Sequence, residues 1–597
     1  MSFFQKFWYV TRGKHKVLAR MLALFITSSI LEMLGTGLIG PFAALITDSK
    51  AIESNQWLAN LYSLLNFDSQ FKFVIFFGLC VIFTFYLKAT MSFIAQKSVA
   101  QFAYALKGGL SLKLIRAYLE APYTYHLSRN SANLVQSVVT STDQFCIGLV
   151  LSLLTAISNS IVVVALVTLL VWTNAAASIS IAVLLVLSFI FLKPLKMRLA
   201  RWGKTGYDSS AEMIRILNHG IGGLKETRVI GCETYFENQM REASESYATN
   251  LGLASGYANL PRYIVEVLMI SFLVVFAFIF TSFNQGNEQN LSSIFGIFAI
   301  ASIRLLPATG NTISCINVIR YNSHSLDQLF FELSELEKLR NRLSKKLLKS
   351  ESKWPSISRK DKLIFDKEIT IQNISYSYPN SSQKALNKLS LNIKKGQAIG
   401  LIGKSGSGKT TLVDVLMGLL LPQEGDITVD NLSIYKDLNA WQHMIGYVPQ
   451  SIFLIDDTLE RNIAFGVPDH LIDHNRIQKA IQAAQLSEVI KQLPEGLKTS
   501  VGERGVLLSG GQCQRVGIAR ALYHQREILV FDEATAALDQ ETESLVSEAT
   551  KALSGQKTII IIAHRLSTIE HCDLIFKLEE GKISNSGSYE AVVLNKL

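Results

Sequence analysis

A chain of 597 residues, 49% of them hydrophobic, with a mean hydropathy of +0.26 and a formal net charge of +10, is too long for one core and too apolar to lie wholly in water. At least two domains are required, one of them in lipid. The six cysteines (Cys80, Cys146, Cys232, Cys315, Cys513, Cys572) stand singly without C-x-x-C spacing, which excludes a zinc ribbon or disulfide scaffold and fits a chain facing a reducing cytosol.

The chain begins with a basic segment (Lys6, Arg12, Lys14, Lys16, Arg20) followed by an apolar run too long for a signal peptide and without a small-residue cleavage site. Length and hydropathy predict six membrane helices, over 17–47, 71–95, 145–172, 175–192, 263–283 and 291–319, each near or above the ~20 residues that cross a bilayer. After the first span, "NQWLANLYSLLNF" (55–67) places Trp57, Leu58, Leu61, Tyr62, Leu64 and Leu65 at helical spacing, predicting a short amphipathic helix at the outer interface.

Orientation follows from the basic residues. The connection after span two carries Lys97, Lys107, Lys113, Arg116 and Arg129, and that after span four carries nine lysines and arginines between Lys193 and Arg241. The connections after spans three and five carry none. The positive-inside rule therefore puts the basic loops and both termini in the cytoplasm and accounts for the charge without nucleic acid. Span six contains Arg304, in "SIRLLPATGN" (302–311), and an arginine at that depth costs about 2.5–3.5 kcal/mol unless it faces a cavity or a partner. Lys88 in span two and Arg262 at the start of span five also sit in apolar surroundings, and Glu32 and Glu266 are the intramembrane carboxylates available to pair with these cations.

From Leu326 the chain turns polar and reads as a linker, giving expected boundaries of 1–325 for the membrane domain, 326–364 for the linker and 365–597 for a globular α/β domain. The strand-like runs "ITIQNISYSY" and "LSLNIKKGQAIGLIG" lead into "GKSGSGKTT", which matches G-x-x-x-x-G-K-[ST] between an apolar strand and a helical pattern. Gly403, Lys404, Ser405, Gly406, Ser407 and Gly408 would turn backbone N–H groups onto phosphate oxygens. Lys409 adds a cation, Thr410 a hydroxyl for Mg²⁺, and Thr411 continues the cradle at the helix start. "REILVFDE" is a buried-strand pattern ending in Asp532, positioned for the metal shell, and Glu533, positioned as the base for an attacking water.

"LLSGGQCQRVGIARAL" (507–522) lies between them, and with the phosphate loop before it and the paired acids after it, 365–597 resembles the nucleotide-binding domain of ATP-binding cassette (ABC) transporters. The resemblance implies ATP as substrate and Mg²⁺ as cofactor. It implies an adenine-stacking role for Tyr378, a metal and relay role for Gln450, a dimer-facing Asp539 and a γ-phosphate contact from His564. Ser509, Gly510, Gly511 and Gln512 would close over a nucleotide held by a second copy of the chain, which implies a homodimer. Cys513 and Ala536 depart from the usual pattern without removing a ligand.

Six spans fused ahead of one such domain resemble an ABC exporter half-transporter, a membrane α-helical domain joined to an α/β P-loop domain. "APYTYHLSRNSANLVQSV" and "GIGGLKETRVIGCETYFENQM" fall where exporters carry coupling helices, and "GERG" (502–505) where they touch them. With "LPRYIVEVL" (260–268), these segments resemble bacterial flippases of lipid-linked oligosaccharides of the protein-glycosylation type. That resemblance implies a lipid-linked or related polysaccharide cargo, a multi-pass protein of the inner membrane, and a cavity in which Lys88, Arg262 and Arg304 attract the cargo's pyrophosphate. It also offers the helix at 55–67 to the cargo's polyprenyl tail, beside the simpler reading of a packing element. A peptide or multidrug exporter is the alternative, because it would carry the same ATPase motifs.

Overall fold

The computed structural model describes residues 2–47, 52, 56–173, 195–283, 288–351, 363–379, 381, 383–532, 551, 553–563 and 565–594. Two compact units emerge. The first contains Met1–Glu120 and Asn130–Lys338, the second Ala121–Arg129 and Leu339–Leu597.

In the first unit, α1 (Phe3–Val10) is closed at its start by a capping box between Ser2 and Gln5. It is followed by α2 (His15–Thr47), α3 (Gln56–Leu64) and the 50-residue α4 (Gln70–Leu119). Among the described residues, three helices are long and apolar enough to cross a membrane: His15–Ile46, Gln70–Leu119 and Asn133–Trp172. They fall on predicted spans one to three. Span four lies outside the described residues, and spans five and six fall within α10 and α11, given below.

Helix α4 runs well beyond the hydropathy boundary near residue 95. Its buried residues continue at helical spacing through Val99, Phe102, Ala103, Leu106, Leu110 and Leu114, so the apolar stripe that lipid no longer demands is kept by helix packing. The short α5 (Tyr123–Leu127) then belongs to the second unit. The chain returns through α6 (Ser131–Gln136), two wide-turn π-helical stretches at Ser137–Ser141 and Gln144–Leu151, and α7 (Ser152–Thr173). A Cβ at Gly148 would lie 2.4 Å from the Asn322 side chain, so glycine permits close helix contact there.

Further on, α8 (Leu195–Gly222) and α9 (Leu224–Ile230) precede α10 (Glu233–Phe283) and α11 (Glu288–Glu351). Helix α11 continues unbroken through the polar stretch that begins at Leu326, because Leu326, Leu329, Leu333 and Leu336 maintain a buried stripe. Helix α1 is fastened to this part of α11. Lys6 pairs with Asp327 at 2.6 Å, Tyr9 donates a hydrogen bond to Glu337, and the Tyr9 ring meets Phe330 edge-on.

The second unit holds two sheets. β1 (Glu368–Tyr376), β2 (Leu386–Lys394), β4 (Glu424–Val429) and β5 (Leu432–Ser433) form an antiparallel sheet in the order β2-β1-β4-β5. β3 (Ala398–Ile402), β6 (Ile445–Val448), β7 (Ile528–Asp532), β8 (Thr558–Ile562), β9 (Leu574–Glu579) and β10 (Lys582–Gly587) form the other, in the order β10-β9-β3-β8-β7-β6. All its pairings are parallel except β10 with β9. The single run "LSLNIKKGQAIGLIG" is thus two strands in different sheets, separated at Gly396, whose φ of +78° bends the chain. Alternate residues of β3, β7 and β8 enter opposite cores, Ile399, Val530 and Ile560 on one side and Ala398, Leu529 and Ile559 on the other. Burial on both faces is why these strands are apolar throughout.

Helix α3 packs its inner face onto the ends of α2 and α4. Leu58 is 1% exposed within a cluster of Leu45, Phe73 and Phe77, with Leu61 and Tyr62 against it, while Leu64 is 79% exposed. The packing reading is therefore met by Leu58, Leu61 and Tyr62, and Leu64 with Trp57 forms an open apolar edge. Leu58→Ala should cost about 2–5 kcal/mol, visible as a lower melting temperature of the purified protein, whereas Leu64→Ala should leave the melt unchanged.

Candidate functional site

The parallel sheet decides where the chemistry gathers. Strand β3 ends at Ile402 and turns into the phosphate loop; β7, separated from it only by β8, ends at Asp532; β6 ends at Val448, two residues before Gln450. Because the strands are parallel, these ends share one edge of the sheet, the place where open α/β sheets bind ligands. Glu533, Asp539 and His564 lie outside the described residues, as does Ala536.

The loop's glycines are required by its path. Gly408 has φ +103° and caps α12 (Lys409–Leu416), and a Cβ there would come within 2.6 Å of the Ala385 carbonyl oxygen. At Gly403 a Cβ would lie 2.3 Å from the Leu578 carbonyl oxygen. Lys409 is 5% exposed, and its Nζ donates to the carbonyls of Gly403 (2.8 Å) and Lys404 (3.1 Å), arching the loop over its own ammonium. Among the described residues, the buried Ser407 Oγ has no hydrogen-bond partner. An arched loop of small residues, an orphaned hydroxyl and a buried cation suit a polyphosphate, so the residues present fit ATP. Ser405, Gly406 and Thr410 are exposed, as is Gln450.

Asp532 is 7% exposed and accepts a hydrogen bond from Tyr447 at 3.2 Å. Burial first, then Asp532, push the Tyr447 phenol well above its usual range. On α12, half-buried Asp414 is raised to about 6, first by burial and then by the Asp532 charge. The Asp532 carboxylate and the Thr410 hydroxyl are the donor types that suit a divalent metal. Neither Asp414 nor Tyr447 was picked out from the sequence. A carboxylate inside the apolar run "TLVDVLMGLL" was the available signal.

Tyr378 lies against Tyr376, with rings edge-on at 5.2 Å, and its hydroxyl is 3.1 Å from Thr411 Oγ1. It is thereby tied to the first turn of the phosphate-binding helix. Ser509 caps α13 (Gly510–Tyr523): its Oγ accepts from the Gln512 N–H at 3.3 Å and Gln512 Oε1 accepts from the Ser509 N–H at 2.8 Å. Ser509 and Gly510 are exposed and Gly511 is half-buried. Cys513 turns inward, with Sγ 3.8 Å from the Gly505 carbonyl oxygen, so the small thiol at this position packs beneath the "GERG" turn.

In the first unit, Glu32 on α2 receives both intramembrane cations whose side chains are described. Lys88 Nζ on α4 is 2.5 Å from one oxygen and Arg304 Nε on α11 is 3.6 Å from the other. Both cations also lie 5.8 Å from the Phe85 ring centre. The side chains of Lys88 and Glu32 are 13% and 10% exposed, but that of Arg304 is 42% exposed. Of the two carboxylates offered as partners, Glu32 is the one that pairs with Lys88 and Arg304. The Arg262 side chain lies outside the described residues.

Comparison with known proteins agrees with this geometry. Residues 386–536 match the ABC transporter family and residues 38–306 the ABC transporter transmembrane region. An ATP-dependent lipid A-core flippase of Cupriavidus metallidurans is 31% identical over 511 residues, covering 83% of each chain. This chain belongs to the ABC transporter family. Another ATP-dependent lipid A-core flippase, from Shewanella denitrificans, is 29% identical over 530 residues, 87% of this chain and 84% of the relative. A solved bacterial Atm1-family ABC exporter with ATP bound shares the fold, with a TM-score of 0.71 and 22% identity over 97% of both chains. This ABC exporter is a multi-pass membrane protein that binds ATP and couples its hydrolysis to transport.

The raised Asp414 makes one pH dependence explicit. Its carboxyl holds a proton in the folded state between about pH 4 and 6 that the unfolded chain has released, so its contribution to stability falls as pH rises through that window. In nucleotide-free, metal-free protein, Asp414→Asn should raise the melting temperature at about pH 7.5, and the advantage should vanish below about pH 4, measured by thermal melts across pH.

Proposed function

We propose that two copies of this chain flip a phosphate-bearing lipid-linked oligosaccharide, or a related polysaccharide precursor, across a bacterial inner membrane, with the nucleotide-binding domains and both termini in the cytoplasm. The cargo reading rests on the Glu32–Lys88–Arg304 cluster. Two cations share one carboxylate within predicted spans, leaving a formal excess of one positive charge. An unbalanced charge in lipid calls for an anion, and the exposed guanidinium of Arg304 offers the planar fork that suits phosphate oxygens. Relatives named for flipping lipid A-core support a lipid cargo.

In the ATP site, Glu533 is the base that orients the attacking water and His564 contacts the γ phosphate. Thr410, Asp532 and Gln450 hold Mg²⁺, and Tyr378 stacks on the adenine. When bound, Mg²⁺ supplies charge neutralisation at the β and γ phosphates. The homodimer is supported by the exposed N-terminus of α13 and by Val506 and Leu507 just before it, 76% and 67% exposed. An anion-binding helix end flanked by exposed apolar residues suits a nucleotide on a partner, with Asp539 facing the same interface.

Glu533→Gln should leave ATP binding intact and slow hydrolysis at least ~100-fold, trapping a nucleotide-bound dimer detectable by light scattering. Near-normal turnover would sink the assignment. For the cargo, Arg304→Leu should lower flipping of a pyrophosphate-linked polyprenyl oligosaccharide in vesicles by about tenfold or more while basal ATPase and the melting temperature hold. Unimpaired flipping would leave Arg304 as an internal ion pair alone.

A further inference from the structure

Glu332, on the cytoplasmic extension of α11, is 6% exposed, and each of its oxygens accepts from a hydroxyl. Tyr118 donates to Oε2 at 2.6 Å and Ser137 to Oε1 at 2.7 Å. One turn earlier, Gln328 Nε2 donates to Ser137 Oγ at 3.1 Å. Its Oε1 accepts from Ser141 (3.1 Å) and Tyr207 (3.3 Å), and Tyr207 accepts from Gln136 at 3.2 Å. Ser137 and Ser141 are fully buried and Tyr118 is 4% exposed. No lysine, arginine or histidine among the described residues pairs with Glu332. A buried carboxylate answered only by hydroxyls is a costly way to hold helices together, since losing either donor strands a charge.

Its place along the chain gives that cost a purpose. The chain passes between the two units at Glu120/Ala121, Arg129/Asn130 and Lys338/Leu339. Tyr118 lies just before the first crossing, Ser137 shortly after the second and Glu332 shortly before the third. A single carboxylate therefore ties together all three roots by which the membrane unit is joined to the nucleotide-binding unit. Apolar packing would slide under load, but a hydrogen-bonded buried charge keeps one register until it is broken outright.

We infer that Glu332 is a positioning residue for energy coupling: it makes the loop carrying α5 and the cytoplasmic end of α11 move as one body when ATP binds. The Ser137–Ser141 wide turn belongs to the same device, because it brings both serines to Glu332 and Gln328. The inference does not depend on the identity of the cargo.

The test uses full-length protein in lipid nanodiscs, comparing hydrogen exchange without nucleotide and with Mg-ATP plus vanadate. In the wild type, exchange in 119–137 and in 320–338 should change together. In Glu332→Ala the ATP-induced change in 119–137 should fall by about fivefold or more while that in 320–338 persists, with the KM for ATP within about twofold. Adding Tyr118→Phe to Glu332→Ala should have no further effect, since both remove the same contact. Should Glu332→Ala fail to fold, Tyr118→Phe and Glu332→Gln, which keep shape and each disturb one of the two carboxylate bonds, serve as milder breaks and should each weaken the loop response. A loop response retained in folded variants overturns the inference. So does a fall in melting temperature accompanied by equal attenuation of both segments, which marks a packing role.

Discussion

Hydrogen bonding between parallel strands brings their carboxyl ends to one edge, and the nucleotide chemistry of this transporter depends on that constraint. The phosphate loop, Asp532 and Gln450 are far apart in sequence, yet β3, β7 and β6 deliver them side by side because β8 and the parallel register leave no other arrangement. The antiparallel sheet then brings Tyr378 to the start of α12, where its hydroxyl meets Thr411. The residue proposed to stack on adenine and the helix that follows the phosphate loop are thus joined through one helix turn.

The carboxylates Glu32, Glu332 and Asp414 are each answered differently, and the answers suit their surroundings. Glu32 lies among lipid-spanning helices and meets two cations, which water could not supply there. Glu332 sits where helices leave the bilayer and is held by hydroxyls alone. Asp414 faces a second carboxylate and responds by holding its proton more tightly. Only the first arrangement leaves an excess of positive charge.

Much of this was legible in the residues. The phosphate loop, the strand ending in Asp532 and the capped "SGGQ" helix are local patterns, each set by backbone geometry within about ten residues, and each appears where its spacing predicted. The intramembrane carboxylates were visible as rarities, but choosing Glu32 over Glu266 as the partner needed the helix packing. Hydropathy ends near residue 95 although α4 runs on to Leu119, since a transfer scale reports lipid contact and not helix packing in water. The hydroxyl network of Glu332 joins residues as far as 214 positions apart, beyond any periodicity. The wide turns at Ser137–Ser141 and Gln144–Leu151 leave no mark in composition, because they differ from an α-helix only in which carbonyl each N–H finds.

The fastening of α1 has a consequence for biogenesis. Lys6 and Tyr9 find their partners 321 and 328 residues later, on the polar stretch of α11 beyond Leu326. At about 5–20 residues per second, the ribosome needs roughly 16–65 s to make that stretch. Throughout that interval the polar anchors of α1 lack their partners, although Phe145, against which Phe7 packs, is made sooner. Phe4 and Trp8 remain 67% and 45% exposed even after docking, an apolar edge suited to the membrane surface. Helix α1 is therefore made before the helices it closes against and fastened only once the end of α11 exists, a seal applied late.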